Sequence, residues 1–214
     1  MFAAGPAPGG EAEWKLLYDQ AELHFQRGNL EQAELFAREA LREAEAAPGG
    51  NQRMTGLSLG RLAFVLRLAG KHDEALPLSE RAVGIATKAY GPGDPQTAIA
   101  IQGQAEILFA QKRFAEAEKL HRRALAIFEK RLGPKNFQTA TGLHNVGTML
   151  LAQEKHAEAE KFLRRALAVK EEVLGPAHRS VAHTLNNLVL TLEAQGRSEE
   201  AAKYRRRTDA FKGQ

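Results

Sequence analysis

The chain has 214 residues, 43% hydrophobic and 26% charged, with a formal net charge of +4, a composition that suits a soluble folded chain. Cysteine is absent, which removes a disulfide framework, a thiolate metal site and a cysteine nucleophile, and fits a reducing compartment. No apolar run approaches the ~20 residues that cross a bilayer; Leu57–Leu68 comes nearest and is interrupted by Arg61 and Arg67.

In chain order, the opening MFAAGPAPGG lacks the basic n-region and apolar h-region of a signal peptide. It reads as a flexible tail over residues 1–10, and the expected location is cytoplasmic with no membrane partner. A helix is predicted from Glu11, with Trp14 near its start in a core or capping role, then a second over Leu30–Ala47, broken by Pro48-Gly49-Gly50-Asn51. The next segment carries Pro77 early in its second helix, where a missing amide is tolerated. The third and fourth segments are the most regular. The last is short: its second helix is expected to begin with Ser198 as N-cap and ends in Arg205-Arg206-Arg207.

These segments are copies of one unit with a fixed step of 42 residues: 7–48, 49–90, 91–132, 133–174 and 175–214, making one elongated domain over 11–214. A period in the range of 20–50 residues is the signature of a solenoid or array. One column is alanine throughout, Ala33, Ala75, Ala117, Ala159 and Ala201; seven residues on come Ala40, Ala82, Ala124, Ala166 and Thr208. Seven residues are two helical turns, so both columns share a face, where a neighbouring helix comes too close for a larger side chain. Upstream, Leu17, Leu59, Ile101, Leu143 and Leu185 form an aliphatic column. Turns fall between at Gly28-Asn29, Gly70-Lys71, Lys112-Arg113, Glu154-Lys155 and Gly196-Arg197, and Gly91-Pro92, Gly133-Pro134 and Gly175-Pro176 stop the second helices. Thr208 and Asp209 put polar groups on the last unit's packing face, as in a terminal cap.

This alanine and turn pattern resembles the tetratricopeptide repeat. The wording Leu174-Gly175-Pro176-Ala177-His178 and Thr184-Leu185-Asn186-Asn187-Leu188 is similar to the long-repeat variety of kinesin light chain. The resemblance implies an all-α, right-handed α-solenoid of about five helix-turn-helix units, acting as a non-catalytic scaffold for a protein or peptide ligand. It also implies that the first helix of each unit lines a concave groove. By register the groove candidates are Tyr18, Asp19 and Glu22, then Arg61, Phe64 and Arg67, then Gln102, Glu106 and Phe109, then His144, Asn145 and Thr148, and last Asn186, Asn187 and Glu193. The asparagine pair of that variety is complete only at Asn186-Asn187 and half present at Asn145; Gly60 and Gly103 either make room there or allow close packing.

No metal, cofactor or catalytic spacing occurs among the seven histidines, and no nucleophile elbow, phosphate loop or dinucleotide fingerprint is present. No cofactor and no enzyme activity are expected. Residues 1–107 carry 10 Lys/Arg against 14 Asp/Glu and residues 108–214 carry 20 against 12. A basic half raises nucleic-acid binding as an alternative, but Glu34–Arg38, Glu118–Arg122 and Glu160–Arg164 are spaced to pair along their helices, so a nucleic-acid partner is not expected. The other alternative is a homo-oligomer joined through the terminal repeat, around Leu188, Leu192 and Phe211.

Overall fold

The computed structural model of the chain describes residues 10–47, 51–209 and 211. The tail reading over 1–9 and the break at Pro48-Gly49-Gly50 lie outside these. Among the described residues there are ten α-helices and no strand: α1 (Glu11–Gln26), α2 (Leu30–Ala46), α3 (Gln52–Leu68), α4 (His72–Tyr90), α5 (Pro95–Ala110), α6 (Phe114–Leu132), α7 (Phe137–Ala152), α8 (His156–Leu174), α9 (Arg179–Ala194) and α10 (Ser198–Asp209). Pro95, Phe137 and Arg179 open α5, α7 and α9 at the sequence's own 42-residue step.

Each odd-numbered helix packs on the even helix that follows it and on the one before it. The alanine columns explain how close they come. Ala33, Ala75, Ala117, Ala159 and Ala201 are all fully buried, and so are Ala40, Ala124 and Ala166. Gly147 marks the tightest approach: a Cβ there would stand 2.7 Å from Leu163 Cγ. Along the stack, α1 touches α3, α3 touches α5 and α7 touches α9. First helices therefore crowd together on one side while second helices fan out on the other, which makes the first-helix side the inner, concave one.

The turns follow the sequence pattern with one addition. Gly28, Gly70 and Gly196 have φ of 77°, 77° and 74°, and Lys112 and Glu154 adopt the same left-handed conformation at 61°. The amides close paired bonds onto the preceding helix, Arg113 N–H to Leu108 O at 2.9 Å and Lys112 N–H to Phe109 O at 2.9 Å, the Schellman arrangement. Side chains in this region cost about 1 kcal/mol. Lys112→Gly and Glu154→Gly are each expected to gain about that much in urea unfolding. A loss in either would mean that the side chain, not the backbone, decides the turn.

Four of the five first helices are capped by side chains: Asn51, Asp94, Asn136 and His178 accept from the amides of Met54, Gln96, Gln138 and Ser180, while Gly10 before α1 offers none. Second helices lack this device at Asn29, Lys71, Arg113 and Lys155. Ser198 departs from its expected cap role. It is the first residue inside α10, and the Arg197 carbonyl accepts the first helical bond from Ala201 N–H at 3.0 Å.

Trp14 is buried, as a core or capping residue should be, and its Nε1 donates to Ser58 Oγ at 2.8 Å. At the other end, Leu188 and Leu192 are fully buried. Of the three residues named for self-association, Leu188 and Leu192 lie in clusters that Tyr204 packs against, and Phe211 is half-buried against the first of them. Arg205 reaches Glu193 across the same end.

Candidate functional site

Four seams join neighbouring units on the concave side, each floored by a second helix. In α6 the floor carries His121, Ala124 and Phe128; in α8 it carries Leu163, Ala166 and Lys170. His121, Phe128, Leu163 and Lys170 are buried, with Phe128 and Leu163 fully so. The first seam has a floor of alanines, Ala40 and Ala44, covered by Trp14. The second seam, between α3 and α5, differs. Its floor in α4 is Ser79, Ala82 and Ala86, and its walls carry Gly60 and Gly103; all five line a cavity of about 420 Å³. A Cβ added at Gly60 or Gly103 would meet nothing within 4 Å. These glycines therefore make room rather than allow close packing.

The cavity wall is largely apolar, with Leu57, Tyr90 and Ile99 at 41%, 48% and 41% exposure around it. The polar groups converge from three helices. Tyr18, Arg61, Arg67, Gln102 and Glu106, all candidates by register, line it. Arg61 pairs with Glu22 at 2.5 Å, and its guanidinium lies 5.3 Å from the centre of the Tyr18 ring. Arg67 pairs with Glu106 at 3.2 Å and stacks 5.3 Å from the Phe64 ring. Burial raises the Glu106 carboxyl above its ordinary range, and Arg67 pulls it part of the way back. Gln102 Nε2 and Arg61 Nε are buried donors that no group of the fold accepts from. Buried polar groups are almost always partnered, so two orphan donors on one cavity are a feature to be explained. The hydroxyl of Ser79 on the floor is committed to the Leu76 carbonyl at 2.7 Å.

The remaining candidates are elsewhere. His144, Asn145, Thr148, Asn186 and Asn187 stand on α7 and α9 and do not line the cavity. Asn187 Nδ2 donates to Thr148 Oγ1 at 2.9 Å, a brace between units four and five. His144 turns its Nδ1 to within 3.1 Å of Thr184 Oγ1. Asn186 is exposed and Asn145 half-buried. Register missed Leu57, Tyr90 and Ile99 at the cavity. The signal that could have found it is the run of small residues at Ser79, Ala86, Gly60 and Gly103 in columns that other units fill.

Arginines on the second helices are tied into ladders. Arg122 bonds Glu118 at 2.7 Å and reaches Glu158 in the next unit; Arg164 bonds Glu160 at 2.8 Å and reaches Glu200. Arg165 pairs with Glu129 and Arg207 with Glu171. These pairs set charges of both signs side by side along and between neighbouring second helices. Among the described residues no three His, Cys, Asp or Glu side chains gather as a metal site requires, and no helix is long and apolar enough to cross a membrane.

A family model described as tetratricopeptide repeat matches residues 54–130, 99–172 and 138–208. No curated protein matches the chain significantly. Among solved structures, BtubC (BKLC) from P. vanneervenii superimposes with a TM-score of 0.80 at 22% identity, over 93% of this chain and 79% of that one. A putative kinesin light chain from Podosopora anserina with nearly identical TPR-like repeats gives 0.77 at 21%, over 95% and 97%. Rap protein, complexed with competence and sporulation factor, gives 0.78 at 18%, over 94% of this chain and 54% of that one.

Proposed function

We propose, from the premise that this chain belongs to the tetratricopeptide repeat family, that it is a non-catalytic scaffold gripping an extended segment of a partner protein along its concave face. The cavity between α3 and α5 carries this reading, because it presents two unpartnered buried donors beside an apolar wall. Orphan donors cost free energy in the empty fold and are satisfied by a ligand's acceptors. Backbone carbonyls of an extended peptide supply such acceptors, and an apolar side chain fills the space that Gly60, Ser79, Ala86 and Gly103 leave. The cross-braced second half, with Asn187 on Thr148 and His144 on Thr184, holds the groove's shape. In support, the similar Rap protein was solved complexed with a factor, and the lining offers groups for recognition rather than a nucleophile set against a base.

The test is a selection from a displayed peptide library on the parent chain, with the Gly60→Leu/Gly103→Leu variant as counter-target. A Cβ at either position meets nothing within 4 Å, so the variant is expected to fold, with the longer leucine side chains closing the cavity. Peptides that bind the parent and lose affinity for the variant, at equal helical content, are the expected result. Peptides that bind both chains equally would move the interface off this face.

A further inference from the structure

The polar atoms left over at the open seam are of one kind. Gln102 Nε2 and Arg61 Nε, both on the lining, are buried without a partner, and both are donors. Gln102 is 9% exposed, so its amide is shielded from bulk water. Among the described residues the lining holds no buried side-chain acceptor in the same condition. A backbone segment brings N–H groups along with its carbonyls, whereas a carboxylate brings acceptors alone. We propose that the cavity between α3 and α5 binds a small monocarboxylate with an apolar body, its oxygens accepting from Gln102 and Arg61.

Charge and size point to the same ligand. Arg53, Arg61 and Arg67 line the cavity against a single acid, Glu106. Glu106 is already held by Arg67 at 3.2 Å. Glu22 pairs with a terminal nitrogen of Arg61 from outside the lining and leaves Nε unpartnered. A lining with excess positive charge attracts an anion, and hydrogen bonds to an ionised acceptor are the strong ones. The space of about 420 Å³ falls within the range of about 300–1,000 Å³ of small-molecule sites, which are mostly apolar with a few placed polar groups. Leu57, Ile85, Tyr90, Ile99 and Ile107 supply the apolar wall, and Gly60 and Gly103 keep the space clear.

The carboxylate and a partner's segment compete for one space, so the small ligand acts as an effector that releases the partner. That consequence rests on the partner-segment reading. Binding of the carboxylate does not, because the chain alone presents every group involved.

The test titrates octanoate and 3-phenylpropanoate into the full chain by calorimetry, with 1-octanol as the uncharged control. Saturable one-to-one binding of a carboxylate is expected, and the tighter of the two probes tells an alkyl body from an aryl one. Gln102→Leu removes a donor at similar volume and is expected to weaken carboxylate binding about tenfold while leaving 1-octanol unaffected. Gly103→Leu, where a Cβ meets nothing within 4 Å, is expected to abolish binding by filling the space, and serves alone if Gln102→Leu fails to fold. No saturable binding, equal affinity for octanoate and 1-octanol, or binding that survives the substitutions overturns the proposal. Peptide selection reports separately on the partner: peptides lost in Gly60→Leu/Gly103→Leu while neither carboxylate binds keep the partner reading and overturn this one. Carboxylate binding with no peptide recovered upholds this one and removes the partner reading.

Discussion

Between pH 7 and about pH 4.5 the folded chain is expected to lose about 5 kcal/mol of stability through two histidines alone, His121 buried and His144 half-buried. His121 is 1% exposed, and its Nδ1 has no partner in the fold. Burial pushes it from 6.5 down to about 4. His144 is pushed down to about 3, chiefly by burial and then by the positive charges of Lys170, His183 and His121. Its neighbour Thr184 already accepts from Lys170 Nζ at 3.0 Å. A protonated His144 would have to donate to the same hydroxyl, setting two cations on one oxygen. The unfolded chain takes up these protons near pH 6.5 and the folded chain does not. The contribution is therefore whole above pH 6.5 and drains away as the pH falls toward the folded values, at about 1.4 kcal/mol per histidine per pH unit. Burial alone would raise Glu118 and Glu160, but hydrogen bonds from Arg122, Gln153 and Lys155 and from Arg164, Gln195 and Arg197 outweigh it and lower both. Their own loss begins below the histidine window. Urea unfolding at the two pH values measures the effect. His121→Leu, which installs the residue that α8 carries as Leu163 in this column, is expected to lose about half as much as the parent. An equal loss in the variant would place the acid sensitivity elsewhere.

The same histidines show what the sequence could and could not convey. The architecture was legible because it depends on residues that recur: an alanine every 42 residues at the closest approach, a turn before every second helix, Gly-Pro after three of them. Even Lys112 and Glu154, which break the glycine rule, sit in the turns that the column pattern assigns, because the Schellman bonds form regardless of the side chain. The candidate site was half legible. Register placed Tyr18, Arg61, Arg67, Gln102 and Glu106 on the inner face, and they meet at one cavity. Register does not say which seam is open. That depends on side chains missing from a floor, at Ser79 and Ala86, and becomes visible only when each column is compared with its filled counterparts. His144 shares the column of Tyr18 and Gln102, yet its ring turns away to Thr184, because a rotamer is chosen by the neighbours and not by the register. The recognition cavity and the acid-sensitive cluster therefore occupy different seams. Acid should loosen the last three units through these histidines, while at the cavity burial holds the Glu106 carboxyl above its ordinary range.

Lys170→Met is expected to stabilise the chain by about 2–3 kcal/mol at pH 7. Lys170 is 2% exposed in a column that carries Phe128 in α6 and alanine at Ala86 and Ala44, and its ammonium donates to Thr184 Oγ1 at 3.0 Å and to the Ser180 carbonyl at 3.4 Å. Neither acceptor is a carboxylate, so the charge is buried without a counter-ion. Burial lowers it from 10.5 to about 8. At pH 7 both folded and unfolded chains hold the proton, and the folded state bears the full cost of keeping it, about 3 kcal/mol. Methionine removes the charge at similar volume and fills irregular space; two neutral-acceptor hydrogen bonds are lost, which trims the gain. As the pH rises from 8 to 10.5 the parent sheds this proton on folding, its stability climbs, and the advantage of the variant closes. Unfolding of both chains across that range supplies the check. A variant less stable than the parent at pH 7 would mean that the bonds to Thr184 and Ser180 outweigh the buried charge, and that Lys170 braces the fourth seam rather than straining it. The substitution also withdraws a cation from beside His144, so its acid-induced loss should shrink in the same variant, tying the lysine and the histidine to one network.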